Sequence, residues 1–336
     1  AGSTIRAGSG ADSLLFDQAV TLATIDAGAG VDRLVFQGIS NGAINAAISG
    51  ISSVGEFVSF GSGQVTALFV DATMSSSSII GGSNQDSLVF SGSLLFNTID
   101  AGAGSDTLRF NAAFAGPLSG LYGSNELVSF GAGATVAFDS AIGIGSSVLC
   151  SDWRDSLVFK QSIAAATINA GAGNDTLQCL NVNLNGSSIA GDIGDDRLDL
   201  AVTVGAGGVS FWGGSGNDTF NVAALSSASG QTAYFWNEAG TDSILFSNLV
   251  SAGGGNANVL LAISGGSSAV VSFLGGQALE AASTTAMFAV AGAGLGFVSV
   301  GVGSDVVTLS FGATNSSFGS NSYVLLGSQV ESITSA

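Results

Sequence analysis

The chain has no histidine, one proline (Pro117), two cysteines (Cys150 and Cys179) and six basic side chains: Arg6, Arg33, Arg109, Arg154, Lys160 and Arg197. Each scarcity excludes something. Without histidine, Ser-His-Asp and Cys-His catalysis and His-ligated metal chemistry lack their central group. One lysine leaves almost nothing for Schiff-base work. A net charge of −18 repels phosphate, and nucleic-acid binding needs the Lys and Arg that are missing. Collagen is excluded because it needs abundant proline and glycine at every third place. Two cysteines say little about redox compartment. The longest uncharged stretch near the end, Ala281 to Ser304, is too rich in Ala, Gly and Ser to make a good membrane helix, so no membrane span is expected. No charged start followed by an apolar run marks a signal peptide. The chain opens Ala1-Gly2 without methionine, which predicts a processed protein or a piece of a longer one.

What is present is glycine, 51 residues of 336, and a hydrophobic content of 46% that excludes ordinary disorder. A repeat organises both. Thr4-Phe16, Thr24-Phe36, Ser78-Phe90, Thr98-Phe110, Thr167-Cys179, Ser188-Leu200 and Ser210-Val222 align, each with an apolar start, a glycine turn, an acid and a second apolar run. The acid falls at Asp12, Asp32, Glu56, Asp86, Asp106, Glu126, Asp155, Asp175, Asp196, Asp218 and Asp242. Most steps are about 20 residues and two are near 30. Seven places before the acid stand Ile5, Ile25, Ile79, Ile99, Val148, Ile168, Ile189, Phe211 and Phe235. Two and four places after it stand Leu or Ile, then mostly Phe, as in Leu88 and Phe90. The column between, including Leu15, Val35, Arg109 and Asp199, is mixed and predicted to face outward. Period-two alternation is a strand with one buried face. One coil cannot bury that face, whereas stacked coils can. The expectation is an all-β protein, a right-handed parallel β-solenoid with about 20-residue coils. Residues 1–246 carry the repeats. Residues 247–336 read as degenerate coils with a C-terminal cap or assembly region, where Gln277–Ser283 is the one stretch that could be helical.

Gly213-Gly214-Ser215-Gly216-Asn217-Asp218-Thr219-Phe220 resembles the Gly-Gly-x-Gly-x-Asp-x-apolar repeat of the RTX, or haemolysin-type, family, and Ala170–Leu177 is similar with alanine in the first glycine place. The resemblance implies a β-roll that holds Ca²⁺ between turns through loop carbonyls and the aspartate, in a secreted protein working outside the cell. Ca²⁺ takes six to eight oxygens, and stacked acids about 4.8 Å apart repel unless a cation lies between them. On that reading the ligand candidates are Asp12, Asp26, Asp32, Asp86, Asp100, Asp106, Asp175, Asp192, Asp195, Asp196, Gly214, Gly216 and Asp218. The alternative is that the aspartates only accept hydrogen bonds from turn amides. The sequence departs from the family in three ways. The motif recurs every 20 residues rather than every nine, so calcium would run down one side only. Alanine stands in the first glycine place at Ala7, Ala27, Ala101 and Ala170. The loops before Glu56 and Glu126 lack the glycines, so an ion ladder would break there.

Other features carry paired readings. Thr4, Thr24, Ser78, Thr98, Ser147, Thr167, Ser188 and Ser210 form a hydroxyl column, an ice- or glycan-binding ladder or simply a β-favouring edge. Trp212 and Trp236 share a column near Tyr234, a sugar platform or a packing surface. Cys179 takes a core Phe place and reads as a buried thiol, and its column differs from that of Cys150. Asp195-Asp196 could be an acid pair for glycosidic chemistry or extra ligand oxygen. Arg154 and Lys160 flank Asp155. The expected function is not enzymatic: a secreted structural protein, subunit of an extracellular filament, sheath or surface layer, calcium-stabilised and self-associating into a homopolymer or lattice, with cell-surface polysaccharide as a possible further partner and no nucleic acid. The alternatives are an adhesin or glycan-binding module and a β-helical polysaccharide-modifying enzyme.

Overall fold

The computed structural model describes residues 2–37, 43–71, 73–227 and 231–246, then strand segments at 249–251, 258–263, 268–273, 285–290, 297–299, 305–311, 323–325 and 330–335. All regular structure among the described residues is β, and every strand pair is parallel. The parallel sheets form a β-solenoid. The helical reading of Gln277–Ser283 lies outside the described residues. The chain divides into two compact units, Ala1–Leu157 and Val158–Ala336.

In the first unit, one sheet stacks strands Thr4–Arg6, Ala23–Asp26, Ala43–Ser49, Gln64–Phe69, Ser87–Phe90, Thr107–Phe110, Leu127–Phe130 and Ser147–Leu149 in chain order. The other stacks Ser13–Phe16, Arg33–Phe36, Phe57–Phe60, the short pairs Thr73–Ser75 with Ser78–Ile80 and Ser93–Leu95 with Thr98–Asp100, then Phe114–Ser119 and Ala134–Phe138. Each coil thus gives one strand to each sheet and turns a corner twice. Alternate residues point between the sheets, where Ile25, Leu34, Phe36, Ile48, Leu88 and Phe90 are buried. Like side chains stack on like. Phe16 and Phe36 lie 4.7 Å apart at 12°, Phe90 and Phe110 5.0 Å at 9°, and Phe110 and Phe130 4.9 Å at 11°. Each buried Phe contributes about 1.5–3 kcal/mol through its area, and the ring pairs about 0.5–1.5 kcal/mol more. The mixed column faces outward, with Leu15 61% exposed. Val35, at 5%, is its covered member.

The columns do not run unbroken. Ile5 pairs Ile25, Ile25 pairs Ile48, Ile48 pairs Phe69, and Phe69 pairs Phe90. A column that starts seven places before the acid therefore becomes the column four places after it. The cause is the step length. Glu56 to Asp86 is 30 residues, one and a half coils, so the run after the acid crosses to the opposite sheet. The acids follow. Asp12, Asp32 and Glu56 stand at the corner entering the second sheet, and Asp86, Asp106 and Glu126 at the corner entering the first. The 29-residue step to Asp155 returns the acid to the original corner, where its Oδ1 accepts from the N–H of Ala134 at the start of a second-sheet strand. The expected one-sided acid column is thus divided between two corners.

The second unit repeats the plan. Its first sheet runs Thr167–Asn169, Ser187–Ile193, Val209–Ser215, Thr232–Asn237, Asn258–Ile263, Thr285–Val290, Asp305–Phe311 and Val330–Ser335. Its second sheet begins with Ile163–Ala164, Thr176–Asn185, Arg197–Val204, Thr219–Ser227 and Thr241–Phe246. Parallel pairing continues past residue 246 through Ser268–Phe273, Phe297–Ser299 and Tyr323–Leu325.

Candidate functional site: the acid corners

The glycine loops are backbone devices. In the loop before Asp218, Gly214 has φ +101° and Gly216 φ +138°. A Cβ on Gly216 would stand 2.0 Å from the carbonyl oxygen of Gly194 on the neighbouring coil. Both conformation and coil-on-coil approach therefore demand glycine there. The place before them differs between coils: a Cβ on Gly213 would stand 2.3 Å from Asp218 Oδ2, whereas other coils accept alanine. Ala27, Ala101 and Ala170 occupy it fully buried and with ordinary φ, so alanine there is packing and leaves the loop intact.

These loops deliver the acid into the corner. Asp32, Glu56, Asp86, Asp106, Glu126, Asp155, Asp175, Asp196, Asp218 and Asp242 are all 1–2% exposed. One carboxylate oxygen accepts the backbone N–H of the acid on the preceding coil. Asp12 N–H donates to Asp32 Oδ1 at 2.8 Å, Asp86 to Asp106 at 2.8 Å, Asp106 to Glu126 at 2.6 Å, Asp175 to Asp196 at 2.8 Å, Asp196 to Asp218 at 2.9 Å and Asp218 to Asp242 at 2.7 Å. In several loops the second oxygen takes an amide of its own turn, as from Gly8 to Asp12 at 3.1 Å, Gly82 to Asp86 at 2.5 Å and Ser53 to Glu56 at 3.1 Å. At Asp32, Asp106, Glu126, Asp196, Asp218 and Asp242 the second oxygen is buried without a hydrogen-bond partner.

Burial governs the chemistry of these carboxyls. Desolvation, partly offset by amide hydrogen bonds, pushes Asp86, Glu126, Asp196 and Asp242 up to about 7 and Asp106, Asp155 and Asp218 up to about 6. Glu56 is raised for the same reason. A group near neutrality in its pKa relieves the like-charge problem by holding protons.

Successive carboxylates are joined through a backbone N–H, which takes one oxygen of each and leaves the second oxygen of several without a hydrogen-bond partner. Among the described residues no three acid or cysteine side chains converge as metal ligands. The remaining candidates lie elsewhere on the coil. Asp26 and Asp100 accept from Gly28 and Gly102, two residues on, as turn caps. Asp192 and Asp195 are exposed. Asp195 belongs to an outer ladder in which its N–H donates to Asn174 Oδ1 at 3.0 Å and its Oδ1 accepts from Asn217 N–H at 2.7 Å. Gly214 and Gly216 serve the backbone as described. Asp195 and Asp196 do not form a catalytic pair, since one faces solvent and the other the corner.

Several functional members carry no glycine signature. Glu56 and Glu126 continue the ladder without a break, Asp32 N–H donating to Glu56 at 2.5 Å. Their loops use one left-handed residue immediately before the acid, Gly55 (φ +90°) and Asn125 (φ +60°), and the extra methylene of glutamate makes up the reach. Where the acid has moved to the other corner, uncharged groups fill its place. Ser77 N–H donates to Asn97 Oδ1 at 2.8 Å, and Asn97 Nδ2 donates to the Met74 carbonyl at 3.0 Å. Glu126 N–H donates to Ser146 Oγ at 3.1 Å. The signal was present as a polar residue one place before each strand.

The other sequence features also find places. The hydroxyl column is interrupted where Thr24 faces Ala47, whereas Thr167, Ser188 and Ser210 are in register. Trp212 and Trp236 stack at 4.7 Å and 7°. Cys179 is buried, its thiol pushed up to about 12 by desolvation, and neither it nor Cys150 forms a disulfide. Arg154 and Lys160 are exposed while Asp155 is buried. No helix is long and apolar enough to cross a membrane, among the described residues. Set against known protein families, curated proteins and solved structures, the chain matches none.

Proposed function

We propose that this is an extracellular structural protein, a self-associating subunit of a filament, sheath or surface layer. The observation that carries the reading is where the acids go: the chemistry-bearing side chains are spent inside the coil, one buried carboxyl bonding the backbone of the preceding coil. What faces outward is chiefly hydroxyl, amide and aliphatic. Such a coil can be repeated at will, which suits a building element better than a catalyst. Scarce Lys and Arg leave few tryptic sites, and the RTX-like loops support a setting outside the cell. Calcium belongs to this reading as a stabiliser of the RTX-like loops.

Electron microscopy of the native material before and after EGTA tests it. Ordered filaments or sheets are expected. Their loss on chelation would support calcium as the link between subunits, and their survival would leave the structural role without calcium. Isolated molecules under both conditions, at any concentration reached, would overturn the reading.

A further inference from the structure

We propose that the second unit carries a saccharide-binding shelf beside Trp212, taking one neutral pyranose ring of a glycan. The stacking distance of Trp212 on Trp236, 4.7 Å at 7°, equals the rise between coils. The indole planes therefore lie across the stacking direction, and the face of Trp212 away from Trp236 looks toward the preceding coil. The register places Ala190 opposite Trp212 there. Its side chain ends at Cβ, so the residue opposite the indole in this column reaches no further than a methyl group. One coil further, in the same column, is Asn169.

The rim of this shelf is polar and fixed. Asn169 Oδ1 accepts from Gly171 N–H at 2.7 Å, and its Nδ2 donates to Asp192 Oδ2 at 3.1 Å. Asp192 holds φ +83°, at the loop position where Gly28, Gly102, Gly171 and Gly214 stand in other coils. A non-glycine residue there costs about 1 kcal/mol. Asp192 is not part of the buried ladder, whose member in this loop is Asp196, and its charge works against that neighbour by raising its pKa. The carboxylate is thus an added exposed group, held at a backbone cost, one strand over from the half-buried Trp212.

That combination selects a sugar. An indole face packs on the C–H face of a pyranose, while a carboxylate and an amide at its edge bond adjacent hydroxyls. A net charge of −18 and Asp192 itself disfavour uronate or sulfated rings. A single ring on one shelf gives a dissociation constant of about 1 mM, and longer chains bind more tightly only if neighbouring sugars also touch the face.

The test uses the full chain and its tryptophan fluorescence, titrated with cellohexaose, laminarihexaose and mannohexaose, and with hexagalacturonate as the anionic control. Saturable change with at least one neutral hexasaccharide and none with hexagalacturonate is expected. Ala190→Leu fills the shelf without removing the indole and should weaken binding at least tenfold. Asp192→Gly restores the loop glycine of the other coils, so it should fold at least as well as the parent and bind several-fold more weakly. No response to any neutral hexasaccharide, tighter binding of hexagalacturonate, or unchanged affinity in the folded Asp192→Gly protein would each overturn the proposal. The result is independent of whether the protein polymerises.

Discussion

The backbone N–H of Asp196 donates to Oδ1 of Asp218 at 2.9 Å, and the other oxygen of Asp218 lies buried with no hydrogen-bond partner. The same half-satisfied carboxyl recurs coil after coil. One oxygen joins two coils, and the other makes the charged form costly. Protonation resolves the conflict, because a neutral carboxyl still offers its carbonyl oxygen to the amide while removing the buried charge.

The stability of the protein should therefore fall as pH rises. Unfolded carboxyls release protons near 3.8 (Asp) or 4.5 (Glu), whereas the folded ladder does so at about 6 to 7. Between these values the folded state holds more protons than the unfolded one. The contribution is full below about pH 4, shrinks as pH climbs through 6 to 7, and is gone above that. It is on the order of 1 kcal/mol or more for each ladder carboxyl. With no histidine in the chain, no ordinary side chain titrates in that window to confuse the result. Melting followed by circular dichroism from pH 4 to 8 should show the midpoint dropping by several degrees. A midpoint that rises with pH would contradict the protonated ladder.

Asp196→Asn and Asp196→Ala separate the hydrogen bond from the charge. Asparagine keeps an acceptor for the Asp175 N–H, as Asn97 does for Ser77 at the same kind of corner. It should be within about 0.5 kcal/mol of the parent at pH 7 and should flatten the pH dependence. Alanine leaves a buried N–H unpaired and should cost about 1–3 kcal/mol. Urea unfolding of the three proteins at pH 5 and 7.5 measures both effects.

The coil and its columns were legible because a repeating pattern writes each inward position many times. Leu14, Leu34 and Leu88 announce a buried face whichever sheet holds it. What the alignment concealed was which sheet that is. Phe36 and Phe90 share a place in the repeat yet sit in opposite sheets, because the 30-residue step from Glu56 to Asp86 is half-integral in coils. The role of the acid was legible only as a pair of alternatives, since a column of aspartates suits both a cation and a column of amides. What the structure shows of that pair is the amide hydrogen bonds, one carboxylate oxygen to each. Ser77, Asn97 and Ser146 carry no such mark in the sequence, because they complete the ladder with short polar groups that lack the glycine loop around them.

Glu126→Asp should be damaging although it preserves charge. The loop before Glu126 has its left-handed turn at Asn125 and lacks the two glycines that bring an aspartate close in other coils. The shorter side chain cannot reach the Asp106 N–H, which it bonds at 2.6 Å. The expected loss is about 1–3 kcal/mol, as large as for Glu126→Ala, because in both the buried amide is abandoned. Equal stability of Glu126→Asp and the parent in urea unfolding would show that the loop adjusts.

The glycine motif makes a sharper claim, because two of its neighbouring places should respond to substitution in opposite ways. Gly216→Ala puts a Cβ 2.0 Å from the Gly194 carbonyl oxygen, at a φ of +138° that an alanine resists. Neither backbone can withdraw without breaking the coil-to-coil bond from Gly216 N–H to Ala239, so a loss of at least about 2 kcal/mol follows. Ala170→Gly touches the first place of the same motif, where the alanine is fully buried and its backbone ordinary. It removes a packed methyl and loosens the unfolded chain, for a loss of about 1 kcal/mol. Thermal melting of the two variants distinguishes a glycine required by geometry from one required only by resemblance. Gly216→Ala melting above Ala170→Gly would refute the close stacking of the loops.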